Sequence, residues 1–237
     1  MSGCSGNQQV AEASAEAPDP SSSTTPCPCQ KQTSEVSESR SQTIVAPAAY
    51  SAWSGTYSWR SKFSLEVDSQ NCTVKVTIKV KVTGTITAAQ KSAWKSACEG
   101  KWNGKAKITS TGQTARTCCP NGYPVTAVLE YVTSGEHYTV RANAAGATEG
   151  GRSGQGGTTS MTGWGVADTV DITHEFGHML GCCDEYFTTN GVNYSGFRDA
   201  SGGVMNNPAN NPLPRNYNFI ASKVQGLIGG TCTAVAP

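Results

Sequence analysis

The stretch His174-Glu175-Phe176-Gly177-His178-Met179-Leu180-Gly181-Cys182-Cys183-Asp184-Glu185-Tyr186 holds two of the three histidines in the chain. On a helix, positions i and i+4 share a face, so His174 and His178 can present both imidazoles to one ion. Glu175 stands beside them and can reach a water at that ion without ligating it. Two neutral histidines and a carboxylate at H-E-x-x-H spacing are the donor set of a zinc site with its general base. Ile172, Phe176, Met179 and Leu180 supply an apolar stripe, so a helix is expected from about Asp168 to Leu180. Gly181 suits the left-handed turn that ends such a helix, because it carries no Cβ.

A zinc site of this kind needs a third protein ligand. After the reversal at Gly181, Asp184 can return its carboxylate to the metal, ten residues beyond His174. Glu185 is an adjacent carboxylate and a rival. The Cys182 and Cys183 thiolates are further rivals, although thiolates favour closed structural sites, whereas Asp184 leaves a position open for water. The remaining histidine, His137, falls on an expected strand, which argues against an all-histidine site.

The segment resembles the metzincin clan of zinc metallopeptidases, whose signature is H-E-x-x-H-x-x-G-x-x-H, with Asp last in a minority. His174, Glu175, His178, Gly181 and Asp184 match it position by position. The Asp variant looks like that of small secreted bacterial metallopeptidases of the snapalysin type. The resemblance implies Zn²⁺ held by His174, His178 and Asp184, with Glu175 as general base. It also implies an α+β, zincin-like domain: a twisted, mostly parallel sheet, an active-site helix, an irregular C-terminal half and a final helix. The clan's methionine turn has its counterpart in Gly202-Gly203-Val204-Met205-Asn206-Asn207-Pro208, where Met205 would form a soft floor under the imidazoles. Asn206 and Asn207 stand where a tyrosine usually follows that methionine. Tyr186 is either an oxyanion donor, as tyrosines are in some members, or a core or rim residue. The resemblance extends over roughly residues 72 to 230, but only 174–184 is specific.

Outward from this helix, Val74, Val76, Ile78, Val80 and Val82 alternate with Lys75, Thr77, Lys79, Lys81 and Thr83, which predicts a strand buried on one side. Thr87-Ala88-Ala89-Gln90 fits a capping box opening a helix to about Glu99, with Ala89, Ala93, Trp94 and Ala97 buried and Gly100 ending it. Strands are expected over Lys105–Ser110, over Val125–Thr133 (a central one, apolar on both parities), at Tyr138–Ala142, and at Thr158–Gly163. The last is the edge strand along which an extended peptide would add. Residues 187–214 read as loop. Tyr217, Ile220, Val224, Leu227 and Ile228 mark a final helix from about Arg215, with Pro214 at its start.

The first 49 residues contain no Phe, Trp or Tyr and carry the run Pro18-Asp19-Pro20-Ser21-Ser22-Ser23-Thr24-Thr25-Pro26. Residues 1–49 are therefore expected to be a disordered Ser/Thr/Pro-rich tail, with the peptidase domain over 50–237. Cys27-Pro28-Cys29 lies within the tail, as a disulfide partner, as idle thiols, or as a thiolate that occupies the open zinc position.

The chain of 237 residues has 18 Lys+Arg against 17 Asp+Glu, a net charge of +1, which argues against a nucleic-acid binder. No apolar run reaches the length that spans a bilayer. Ten cysteines point to an oxidising destination. Met1 to Val10 carries no apolar h-region, so export by a route needing none, or prior removal of a signal, is expected. Cys182 and Cys183 are expected to pair with Cys118, Cys119 or another partner. The expected function is a monomeric, secreted zinc endopeptidase acting on protein or peptide substrates. The alternatives are an exported effector or toxin with one narrow target, and a non-catalytic module with structural zinc.

Overall fold

In the computed structural model, which describes residues 29–44, 55–143, 149–150, 156–157, 160–189, 192–195 and 202–237, the chain enters its sheet earlier than expected. Residues 31–44, placed in the disordered tail on composition, form strand β1 (Lys31–Ile44), paired antiparallel over its whole length with β2 (Gly55–Asp68). Composition misleads here because β1 does not depend on a large apolar face. Its even-numbered residues are Gln32, Ser34, Val36, Glu38, Arg40, Gln42 and Ile44, of which only Val36 and Ile44 are apolar. Ladder hydrogen bonds to β2 satisfy the backbone groups along one of its edges, and the disulfide Cys29–Cys118 ties its start to a point 89 residues along the chain. The folded unit therefore begins before residue 50. Residues 1–28 and 45–49 of the expected tail lie outside the described residues.

A tight turn joins β2 to β3 (Thr73–Thr83), with the Asp68 carboxylate accepting from the Gln70 and Asn71 amides at 2.9 and 3.0 Å. A second disulfide, Cys72–Cys119, closes beside it. As the alternation predicts, Val74, Val76, Ile78 and Val80 are fully buried while Lys75 is exposed. Helix α1 (Ala88–Trp102) opens with the Thr87/Gln90 capping box. It continues through Gly100, because the buried stripe is Trp94, Cys98 and Trp102 at spacing four, and not the alanines. Burying two indoles outweighs the entropic cost of one helical glycine.

The chain then forms β4 (Lys107–Ser110), the short helix α2 (Gln113–Cys118), β5 (Tyr123–Tyr131) and β6 (Tyr138–Asn143). Two-residue strands β7 (Glu149–Gly150) and β8 (Gly156–Gly157) pair with each other. The strand expected at 158–163 begins only at the last of those residues: Ser160 bridges to Gly163, and β9 (Gly163–Gly165) pairs in parallel with β6. Helix α3 (Asp171–Met179), the hairpin β10 (Tyr186–Thr189) and β11 (Val192–Ser195), a 3₁₀ turn at Pro214–Tyr217, helix α4 (Asn218–Ile228) and β12 (Cys232–Val235) complete the order.

Among the described residues, eight strands make one mixed sheet in an α+β arrangement. β3 runs parallel to β5 and β6, and β6 parallel to β9. The remaining pairs (β1–β2, β2–β3, β4–β5 and β4–β12) are antiparallel, so the sheet is not mostly parallel as expected. The β2–β3 turn is too short for a parallel crossover, and β12 returns from the final helix against β4. β3 divides its pairing along its length: Val80 accepts from the Val132 amide on one side, and Lys79 accepts from the His137 amide on the other.

The helices anchor to this sheet through aromatic donors. The indole N–H of Trp94 donates to the Gly165 carbonyl at 3.1 Å, and that of Trp102 to the Thr173 carbonyl at 2.9 Å. The Tyr217 hydroxyl reaches the Trp102 carbonyl. These bonds link α1, β9, α3 and the final helix into one body around the His174–His178 face.

Candidate metal centre

Helix α3 begins where the Asp168 carboxylate accepts the Val170 and Asp171 amides at 2.8 and 2.9 Å, satisfying donors that a helix start leaves open. Its inner stripe, Ile172, Phe176 and Met179, is fully buried, which fixes its roll and turns His174 and His178 to one face. The two rings stand edge to face with centroids 4.9 Å apart, each almost wholly enclosed.

Gly181 ends the helix at φ +98, as its lack of a Cβ allows. A Cβ there would run into the Phe219 ring of α4, so the position requires glycine for space as well as for conformation. The reversal brings Asp184 Oδ1 to 3.0 Å from His174 Nε2 and 3.1 Å from His178 Nε2. Each Nδ1 is turned outward: His174 Nδ1 meets the Val204 carbonyl at 3.0 Å, and His178 Nδ1 meets the Cys182 carbonyl at 2.9 Å. A carbonyl accepts only, so Nδ1 carries the hydrogen and the neutral ring keeps its lone pair on Nε2, facing Asp184. Two imidazole nitrogens and one carboxylate oxygen, within 4.8 Å of one another, fit a divalent ion such as zinc.

The electrostatics agree with a shared site. Burial alone would raise the Asp184 pKa, but the adjacent His178 and His174 rings outweigh it and hold the carboxyl well below the ordinary range. Burial alone would depress the His174 pKa; the Asp184 carboxylate, with a smaller contribution from Glu175, lifts it to about 9.

The rival ligands are engaged elsewhere. Glu185 turns away and takes a two-pronged ion pair from Arg215, Nε and Nη2 each at 2.8 Å, and accepts from Asn216 Nδ2 at 3.1 Å. Cys182 Sγ is buried and donates to the Asn216 carbonyl at 3.0 Å. Cys183 is a half-buried free thiol outside the cluster. The expected pairing of Cys182 or Cys183 with Cys118 or Cys119 does not occur. Cys118 and Cys119 are taken by Cys29 and Cys72, because the β2–β3 turn and the start of β1 lie at the C-terminal end of α2. Cys29 is thus no free thiolate, and Cys27 lies outside the described residues. His137 stands apart and pairs with Glu35 at 3.2 Å.

Met205 is fully buried in a turn closed by Asn206 and Asn207 amides on the Gly203 carbonyl. Its sulfur lies so close under Gly177 that a Cβ there would stand 2.5 Å from it, so the residue between the two histidines must be small. Lys101 holds the far end of this turn, donating to the Pro208, Ala209 and Asn210 carbonyls at 3.2 Å each. Tyr186 lays its ring against His174, centroids 5.7 Å apart. Glu175, half-buried, occupies the helix position next to His174.

Sequence reading missed the residues that hold the backbone around these ligands. Trp59 Nε1 and Ser61 Oγ both donate to the His178 carbonyl at 3.1 Å, Arg215 and Asn216 secure Glu185, and Gln42 bonds the Asp184 backbone. None is marked by a motif, since each acts on a main-chain group or a neighbour far away in sequence. Comparison of the chain with protein-family models, curated proteins and solved structures gave no match.

Proposed function

We propose that this chain is a zinc-dependent endopeptidase of the metzincin kind, with zinc held by His174, His178 and Asp184 and Glu175 as general base. The observation that carries this reading is the convergence of His174 Nε2, His178 Nε2 and Asp184 Oδ1, with Glu175 on the same helix. The donor set is three residues, not four, among the described residues, and no cysteine joins it. That composition favours a site with an open position over a closed structural one.

When bound, zinc supplies Lewis acidity, polarising a peptide carbonyl and acidifying water. Glu175 takes the proton of the attacking water and hands it to the departing amine. His174 and His178 stay oriented throughout because Val204 and Cys182 carbonyls hold their Nδ1–H groups. An extended peptide would lie along β9, which precedes α3 and, among the described strands, pairs with β6 alone. Export from the cell is part of the proposal and is supported by the two disulfides. Among the described residues, no helix is long and apolar enough to cross a membrane.

The test is zinc content together with cleavage of an unstructured protein such as casein, in wild type and Glu175→Ala. One zinc per chain in both, with chelator-sensitive cleavage reduced at least about a hundredfold in the variant, is expected. Substantial cleavage by metal-loaded Glu175→Ala protein would sink the assigned role.

A further inference from the structure

We infer that Gln42 is a positioning residue for the metal centre, and that β1 is the strap through which it acts. The inference rests on the metal-binding reading of His174, His178 and Asp184. Asp184 belongs to the 181–185 segment, which is neither helix nor strand. Its peptide groups therefore get no regular ladder of partners, although the side chain between them must hold one direction. Gln42 answers this from 142 residues away: its Nε2 donates to the Asp184 carbonyl at 2.9 Å, and its Oε1 accepts from the Asp184 amide at 3.0 Å.

The Gln42 side chain is almost fully enclosed, so these bonds form away from competing water. The two contacts also define the amide orientation, since only one of its two flips satisfies both partners. The backbone of one residue is thereby gripped at N–H and C=O together, as a neighbouring strand would grip it, and the carboxylate is aimed from that fixed point.

The rest of the strap supports the same segment. Arg40, two residues earlier on the same strand face, donates to the Gly181 carbonyl at 3.2 Å, and its guanidinium lies 4.2 Å over the Phe219 ring. Two residues earlier again, Glu38 pairs with Lys223 of α4. From β2, Trp59 and Ser61 hold the His178 carbonyl. The β1–β2 ribbon thus secures the turn at three successive places, and Gln42 is the one at the third ligand. Groups that orient metal ligands typically affect affinity ten- to a hundredfold.

The experiment uses the full chain and measures zinc affinity by competition with a chromophoric chelator, and the visible absorption of the cobalt-loaded protein. Gln42→Ala, Gln42→Glu, Asp184→Ala and the outward-facing control Ser39→Ala are compared, with folding checked by circular dichroism. Gln42→Ala is expected to weaken zinc binding about 10- to 100-fold and to shift the cobalt spectrum. Gln42→Glu keeps the acceptor for the Asp184 amide but loses the donor to its carbonyl, so an intermediate loss is expected, and it serves in place of the alanine variant if that does not fold. Ser39→Ala should match wild type. Wild-type affinity and spectrum in either folded Gln42 variant, with Asp184→Ala impaired, would overturn the strap while leaving the metal site intact. Wild-type affinity in Asp184→Ala would instead overturn the metal reading itself.

Discussion

Two adjacent carboxylates, Asp184 and Glu185, have opposite surroundings: one faces two imidazoles and the other faces Arg215. Their substitutions should therefore separate. Asp184→Ala is expected to lose zinc binding and, because it takes the counter-charge from the His174 imidazolium, also to lower the stability of the metal-free chain at acidic to neutral pH. Glu185→Ala should retain zinc but lose about 3 kcal/mol in urea unfolding, because it removes a largely buried two-pronged ion pair with Arg215 and the bond from Asn216. Equal effects of the two on zinc affinity would contradict the assignment. The His174 and Asp184 shifts also set a pH dependence. A histidine raised to about 9 contributes stability that is fully present below about pH 6.5 and is lost as pH rises through 9. The depressed Asp184 contributes stability present above about pH 4 and lost at lower pH. The metal-free cluster is thus most favourable between about pH 4 and 6.5. Zinc needs the neutral ring, so its binding releases protons and strengthens as pH rises. The zinc-induced increase in Tm should be larger at pH 8 than at pH 6, as scanning calorimetry would show; an equal or smaller increase at pH 8 would count against this linkage.

At the scale of elements, α3 is seated between the methionine-bearing turn and α1, and Gly177 is the contact point. A Cβ there would stand 2.5 Å from Met205 Sδ and 2.7 Å from the Trp102 ring. Gly177→Ala gains helix propensity but overpacks both neighbours, and a net loss of about 1 to 3 kcal/mol is expected in denaturant titrations. A stabilised variant would show that the floor can yield. Elements whose pattern is local were legible in advance: the period-two run of β3, the Thr87 capping box of α1, and the stripe Ile220, Val224, Leu227 and Ile228 of α4. β1 was not, because its inner face is polar and gains its partners only from the turn and helix it covers. The end of α1 departs from its sequence pattern for a related reason: Trp102 is held by Thr173 of α3 and by Tyr217, and neither lies nearby in sequence.

For the whole molecule, the two disulfides join β1 and the β2–β3 turn to adjacent cysteines at the end of α2. They span 89 and 47 residues, and the chain-entropy account assigns about 4 to 5 kcal/mol to loops of that order. Replacing Cys29 and Cys118 together by serine should lower stability by about 2 to 5 kcal/mol in urea unfolding monitored under oxidising conditions. It should also weaken zinc binding modestly through the loosened strap. Stability unchanged by the double replacement would mean that β1 is held by its ladder alone. The shared face of His174 and His178 was readable from residues 174–184 because helical spacing and a glycine turn place the rings without help from the rest of the chain. Which carboxylate joins the two histidines, where the cysteines pair and what secures Asp184 depend on groups 30 to 142 residues away. Such long-range partners leave no periodic trace, so only the tertiary structure decided them.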